Sequence, residues 1–160
     1  MKLRSILYGT FICLFGLFIF LSFSGQLMAQ TKTTTKRPST PVKKDADYWF
    51  KKGALVSTYG NNKAAVQYFQ KAIALNPNFS SAYFSQGVSY GQLGQYPEAI
   101  DQINRALKME PQNGMFYYGR ARVYLLSGDK TKAMEDFKKA ADLGDEDALD
   151  YLDYIGEGKK

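Results

Sequence analysis

Residues 80–113 read SSAYFSQGVSYGQLGQYPEAIDQINRALKMEPQN, and the stretches on either side say nearly the same thing. Trp49, Tyr83 and Tyr117 fall 34 positions apart, as do Gly53, Gly87 and Ala121. The step holds for Ala65, Ala99 and Ala133, for Phe69, Ile103 and Phe137, and for Ala72, Ala106 and Ala140. Pro77 and Pro111 close the first two units, and Asp145 stands where a third proline would fall. A fixed period of this length marks a stacked array of small supersecondary units, and it decides the fold class before local propensity is weighed.

Each unit reads as two helices and a tight turn. The first helix is predicted over residues 46–59, the turn at Gly60-Asn61-Asn62, and the second helix to about Leu75. Asn76-Pro77 stops it, because proline has no N–H and disfavours helix in the residue before it. The second unit turns at Gly94, and Pro97 sits in the following first turn, where a missing N–H costs little. The third turns at Gly128-Asp129, and Gly144 can supply a left-handed C-cap. Two helices approach to about 8 Å only over small residues. Gly53 opposite Ala65 and Ala72, and Gly87 opposite Ala99 and Ala106, are therefore predicted crossing points. Trp49, Phe69, Tyr83, Ile103, Tyr117 and Phe137 are predicted to fill the space around them as core.

The run after the third unit places Ala148, Leu149, Leu152 and Ile155 on one helical face and acids on the other. That is what a terminal capping helix needs, with Asp145, Glu146 and Asp147 at its start, where caps and the helix dipole favour acids. The acidic run lacks the alternating acids, glycine and distal glutamate of a calcium loop, so no metal is expected there.

The pattern resembles the tetratricopeptide repeat family. The resemblance implies an all-α protein: an α-solenoid of three helix-turn-helix repeats at 46–79, 80–113 and 114–147, with a capping helix at 147–156. It also implies that the first helix of every unit lines a concave surface that takes a protein or peptide. In this register Phe50, Phe84 and Tyr118 project from equivalent places, with Val88, Met115, Arg122 and Leu125 nearby. They form a candidate groove with an aromatic ladder, and Arg122 is available to a carboxylate. The other reading is that these aromatics complete packing between units. Family members that bind acidic chaperone tails carry a Lys, Asn and Arg clamp on the first helices. Phe50, Ala54, Ser85, Met115 and Gly119 stand in the corresponding places, so that ligand is not expected.

The first forty-five residues are of a different composition. Lys2 and Arg4 precede an unbroken apolar run at residues 6–23, followed by polar and small residues up to Ala29. This reads as a signal peptide cleaved after Ala29, and hence as an exported protein, periplasmic or secreted. The run is also nearly long enough to span a bilayer, so an uncleaved membrane tether is the alternative. The lone Cys13 lies inside it, which leaves no disulfide for the rest of the chain. Residues 30–45 read as a flexible, basic Thr/Lys/Pro tether.

The formal charge of +6 belongs to that leading part, because residues 45–160 hold 14 basic and 15 acidic residues. A nucleic-acid binder would carry its basic excess on the folded domain, so no nucleic acid is expected. The chain has no His, which removes the commonest general base and metal ligand. Gly87-Val88-Ser89-Tyr90-Gly91 has the spacing of a nucleophile elbow, but Gly87 is a predicted helix-crossing position rather than part of a strand-to-helix turn. Neither catalytic residues nor a cofactor or metal is expected. The expectation is a non-enzymatic adaptor or assembly factor. The alternatives are a membrane-anchored structural component that self-associates, and an envelope-polymer binder working through the basic tether.

Overall fold

The computed structural model describes residues 43–156. The apolar run, the boundary at Ala29 and residues 30–42 of the basic stretch lie outside the described residues. Those described build seven helices and no strand: α1 (Ala46–Thr58), α2 (Asn62–Leu75), α3 (Ser80–Gln92), α4 (Tyr96–Met109), α5 (Gly114–Ser127), α6 (Lys130–Asp142) and α7 (Glu146–Tyr154). They belong to one compact unit that begins at Lys43. Each helix packs on its neighbours in sequence, and the first helices of successive pairs also meet. The result is an all-α solenoid.

Local sequence sets the helix ends. Asp45, Asn61, Asp129 and Asp145 each accept a hydrogen bond from the backbone N–H three residues on, at 2.9–3.2 Å. Such a cap satisfies one of the donors that a helix start leaves open. Between the helices of a pair the chain reverses through Gly60, Gly94 and Gly128, with φ of +78°, +76° and +89°. Only glycine adopts that region freely, which explains why it recurs at the repeat step.

The crossing points are as close as the small residues imply. A Cβ on Gly87 would come 2.8 Å from the Ala99 carbonyl oxygen and 2.6 Å from Ile103 Cγ1. At Gly53 the nearest atoms to such a Cβ are those of the Phe69 ring, from 2.7 Å. Ala65, Ala72, Ala99, Ala106, Ala133 and Ala140 are all fully buried.

The packing falls into three clusters in line. Of the six large residues predicted as core, Phe69, Ile103 and Phe137 are completely buried. Trp49, Tyr83 and Tyr117 are only half-buried. Tyr83 packs on both the first and the second cluster, and Tyr117 on both the second and the third. These tyrosines therefore join one pair to the next. All three clusters are made by residues 49–152, so the solenoid owns the core it needs to fold.

The last helix departs from the predicted face. Ala148 and Leu152 are buried, but Leu149 and Ile155 remain exposed. Tyr151 lies against the core instead, stacked on Phe137 with centroids 4.2 Å apart. Tyr151 continues the step of Trp49, Tyr83 and Tyr117, so α7 packs as the first helix of a further pair rather than as a generic amphipathic lid.

Candidate binding groove

The two rings that lead the aromatic ladder are held by packing. Phe50 lies against Phe69 and Phe79, with centroids 5.7 and 4.8 Å away. Phe84 reaches from α3 into the next pair and stacks on the fully buried Phe116 at 4.7 Å. It covers Gly119, where a Cβ would come 2.7 Å from the Phe84 Cζ. Tyr118 meets Phe137 edge-on at 5.6 Å. All three are half-buried; Phe84 packs across to the next unit, while the ring contacts of Phe50 and Tyr118 lie within their own.

What they leave open is a cavity of about 260 Å³ between α3 and α5. From α3 it is lined by Phe84, Val88, Gly91 and Gln92; from α5 by Met115, Tyr118, Gly119, Arg122, Val123 and Leu126; from α7 by Asp147. Gly91 and Gly119 leave room that side chains would fill: a Cβ on Gly91 would lie 3.0 Å from Val123 Cγ2. Met115 and Leu126 are large apolar side chains left 51% and 59% exposed. Exposed apolar surface of this kind, grouped in a concavity with a few polar groups, is the usual make-up of a ligand site.

Five of the seven residues assigned to the groove by register thus line one cavity: Phe84, Val88, Met115, Tyr118 and Arg122. Phe50 lies one pair away in the first cluster. Leu125 packs on the third cluster with Ala121 and Phe137. Its neighbour Leu126 takes the place in the groove, because one residue along a helix turns the side chain by about 100°. Leu126, Gln92 and Asp147 were not legible as groove residues: Gln92 and Leu126 stand one repeat step apart but share no residue type, and Asp147 matches neither Asn113 nor Phe79.

The charges in the groove are not neutralised by each other. The Arg122 guanidinium carbon sits 5.8 Å from the centre of the Tyr118 ring. Among the described residues, neither Arg122 nor Asp147 takes part in an ion pair. A cation on an aromatic face beside an apolar floor can hold a carboxylate, and Asp147 can hold an ammonium or guanidinium.

A second polar feature lies deeper and is structural. Arg120 donates to both Asp136 carboxylate oxygens at 2.7 and 2.8 Å, and also to the Asn104 side-chain oxygen. The hydrogen bonds to Asp136 raise the guanidinium pKa above its already high ordinary value, against the burial that opposes the charge. At the same repeat position Gln86, which is 1% exposed, donates to the Val66 carbonyl at 3.2 Å and to Gln70 at 3.1 Å. Among the described residues no group of three or more metal-ligating side chains occurs.

Comparison with known proteins agrees with this architecture. A tetratricopeptide repeat family model matches residues 46–79, and a second one with the same description matches residues 84–148. The crystal structure of YrrB, a TPR protein with an unusual peptide-binding site, is similar over 68% of this chain, at 25% identity and a TM-score of 0.63. The crystal structure of MamA is similar over 65% of the chain, at 26% identity and a TM-score of 0.58. An uncharacterised protein of Methanocaldococcus jannaschii is 41% identical over 46 residues, or 29% of this chain. The matches span 54% of that relative's length, 57% of the YrrB chain and 61% of the MamA chain.

Proposed function

Because this chain carries tetratricopeptide repeats over residues 46–79 and 84–148, we propose that it is a non-enzymatic adaptor that holds a peptide or helix of a protein partner in the α3–α5 groove. The observation that carries the reading is the cavity between Phe84, Met115, Tyr118 and Leu126, apolar on its floor and edged by Arg122 and Asp147. YrrB, at 25% identity, is described as having a peptide-binding site, which supports the same use of the fold here. The groove favours a segment with one or two apolar side chains that enter the cavity, an acidic group for Arg122 and a basic one for Asp147. On the sequence pattern of residues 1–29, its place of work is beyond a membrane, exported or tethered through residues 6–23.

Selection of displayed random peptides on residues 43–160 tests the groove directly. The expected winners pair apolar residues with an acid, and they lose binding to Met115→Glu and to Arg122→Glu proteins. These substitutions are preferable to Phe84→Ala, which removes a ring that joins two pairs. Winners indifferent to both substitutions would move the site elsewhere. The mass of the protein recovered from its own cells tests the placement: a mature chain beginning at Gln30 is expected, whereas one retaining residues 1–29 would indicate the membrane-tethered form.

A further inference from the structure

The polar residues at 86 and 120, one repeat step apart, each reach back to the preceding pair. Gln86 on α3 donates to α2, and Arg120 on α5 donates to Asn104 on α4. Lys52 holds the same position on α1, and no preceding pair exists among the described residues. Its ammonium lies 4.8 Å from the centre of the Tyr68 ring, and that of Lys71 lies 4.5 Å from the Trp49 ring. Trp49 and Tyr68 are stacked on each other, 5.7 Å apart and 16° from parallel. The equivalents of Trp49 at 83 and 117 are each shared between two clusters, but Trp49 belongs to one. This end of the solenoid is therefore an inter-repeat surface that no described residue covers as a preceding pair would, aromatic in the middle and cationic around it. Among the described residues neither lysine has an ion-pair partner.

The opposite end carries the complementary character. Residues 145–154 include five acids and no basic residue. Asp150 and Asp153 are exposed on α7, beside the exposed apolar side chains of Leu149 and Tyr154. Where Gly53, Gly87 and Ala121 admit a close second helix, the corresponding residue is Ile155, too large for that crossing and 37% exposed. Residues 43–79, by contrast, hold six lysines against two aspartates.

We propose that the α1–α2 end of one molecule binds the acidic face of α7 of a second copy, head to tail. The Trp49–Tyr68 pair would receive Leu149 and Tyr154, and Lys52 and Lys71 would face Asp150 and Asp153. Both halves of the contact are present on every chain, so charge complementarity selects a second copy. Because the two surfaces differ, the contact is heterologous and extends past a dimer, as an open chain or a ring according to its rotation. The groove between α3 and α5 is not part of it.

Sedimentation of residues 43–160, which contain the whole core, tests this. The average mass should rise with concentration past that of a dimer, and rise less at high salt. Trp49 is the chain's one tryptophan, so its fluorescence should shift to shorter wavelength over the same range. Lys52→Gln/Lys71→Gln and Asp150→Asn/Asp153→Asn proteins should each associate at least about tenfold more weakly. An equimolar mixture of the two retains one intact contact and should form a dimer and nothing larger. Circular dichroism and melting curves check that both variants are folded. A wild-type monomer at all concentrations, variants that associate like wild type, or a mixture that stays monomeric would each overturn the proposal. Groove binding by displayed peptides should survive in both variants, which separates this contact from the adaptor function.

Discussion

Two junctions along the solenoid have one geometry and different chemistry. Between the first and second pairs, a neutral glutamine reaches from α3 to Val66 and Gln70 on α2. Between the second and third, an arginine at the same repeat position reaches from α5 to Asn104 on α4, and is held by Asp136 on α6. Gln86 is buried and Arg120 largely so, and among the described residues no buried side-chain polar atom is left unpaired. The repeat therefore fixes where a polar link between pairs sits, while leaving open whether it is charged. That choice sets how costly the link is to break, since a buried charge without its partner is far worse than a lost neutral hydrogen bond.

The most severe test of this contrast is Asp136→Ala. It leaves the Arg120 guanidinium, whose side chain is 19% exposed, without its carboxylate. The expected loss of stability is about 3 kcal/mol, read from urea unfolding of residues 43–160. Gln86→Leu, at the neutral junction, is expected to cost about 1 kcal/mol. Equal losses at the two sites would mean that the ion pair is not the element that distinguishes the junctions.

Within the pairs, Gly87→Ala is the next test. The added Cβ would run into the Ala99 carbonyl as well as Ile103, and backbone cannot turn aside as a side chain can. Overpacking costs about 1–3 kcal/mol, partly offset by the roughly 1 kcal/mol helix preference of alanine over glycine. A net loss near 1 kcal/mol is expected in the melting curve of Gly87→Ala. Ala99→Leu, directly beneath it and fully buried, should lose more. The third pair already carries Ala121 at this position, so Ala121→Gly should gain nothing from relief of crowding. If it stabilises instead, the crossings differ in spacing and the shared geometry fails.

These contrasts also show what a sequence of this kind makes legible. Apolar and glycine positions recur almost unchanged at the repeat step, so the helices, the turns and the crossings could be read from identity alone. The polar link could not, because its three versions are Lys52, Gln86 and Arg120, which share only their position within otherwise apolar helix faces. Tyr151 was similarly hidden: it keeps the aromatic step but lies in a helix whose preceding loop lacks the proline that marks the earlier units. In the groove, recurrence found the residues that line it and pack at once, such as Phe84 and Tyr118. It missed Leu126 and Asp147, which face the ligand space without serving the repeat. Residues there can vary from unit to unit, so periodicity is a poor guide to them.

The mildest prediction concerns the outer edge of the second and third pairs rather than the junctions between them. In the second pair, the Ser80 hydroxyl at the start of α3 donates to Glu110 at the end of α4, which also accepts a bond from Asn113 at 2.8 Å. In the third, the equivalent of Ser80 is Gly114, where a Cβ would already come 3.1 Å from Asp145 and 3.2 Å from the Ala140 carbonyl. Of these two pairs, only the second can therefore carry this latch. The Ser80 bond, followed by that from Asn113, lowers the Glu110 pKa below its ordinary value. A carboxylate held lower in the folded state than in the unfolded one contributes stability above the unfolded pKa of about 4.3, and loses it as pH falls through the folded value. Glu110 is exposed, so solvent screening limits the contribution to less than about 1 kcal/mol. Ser80→Ala should accordingly lower stability slightly at neutral pH, and the gap from wild type should close as the solution is acidified below about pH 4. Unfolding curves for the two proteins across that range provide the comparison. A gap that stays constant with pH would show that the hydroxyl acts through packing at the α3 terminus. A Gly114→Ser protein gaining the same acid-sensitive increment would show that the third pair has room the close approach to Asp145 and Ala140 denies it.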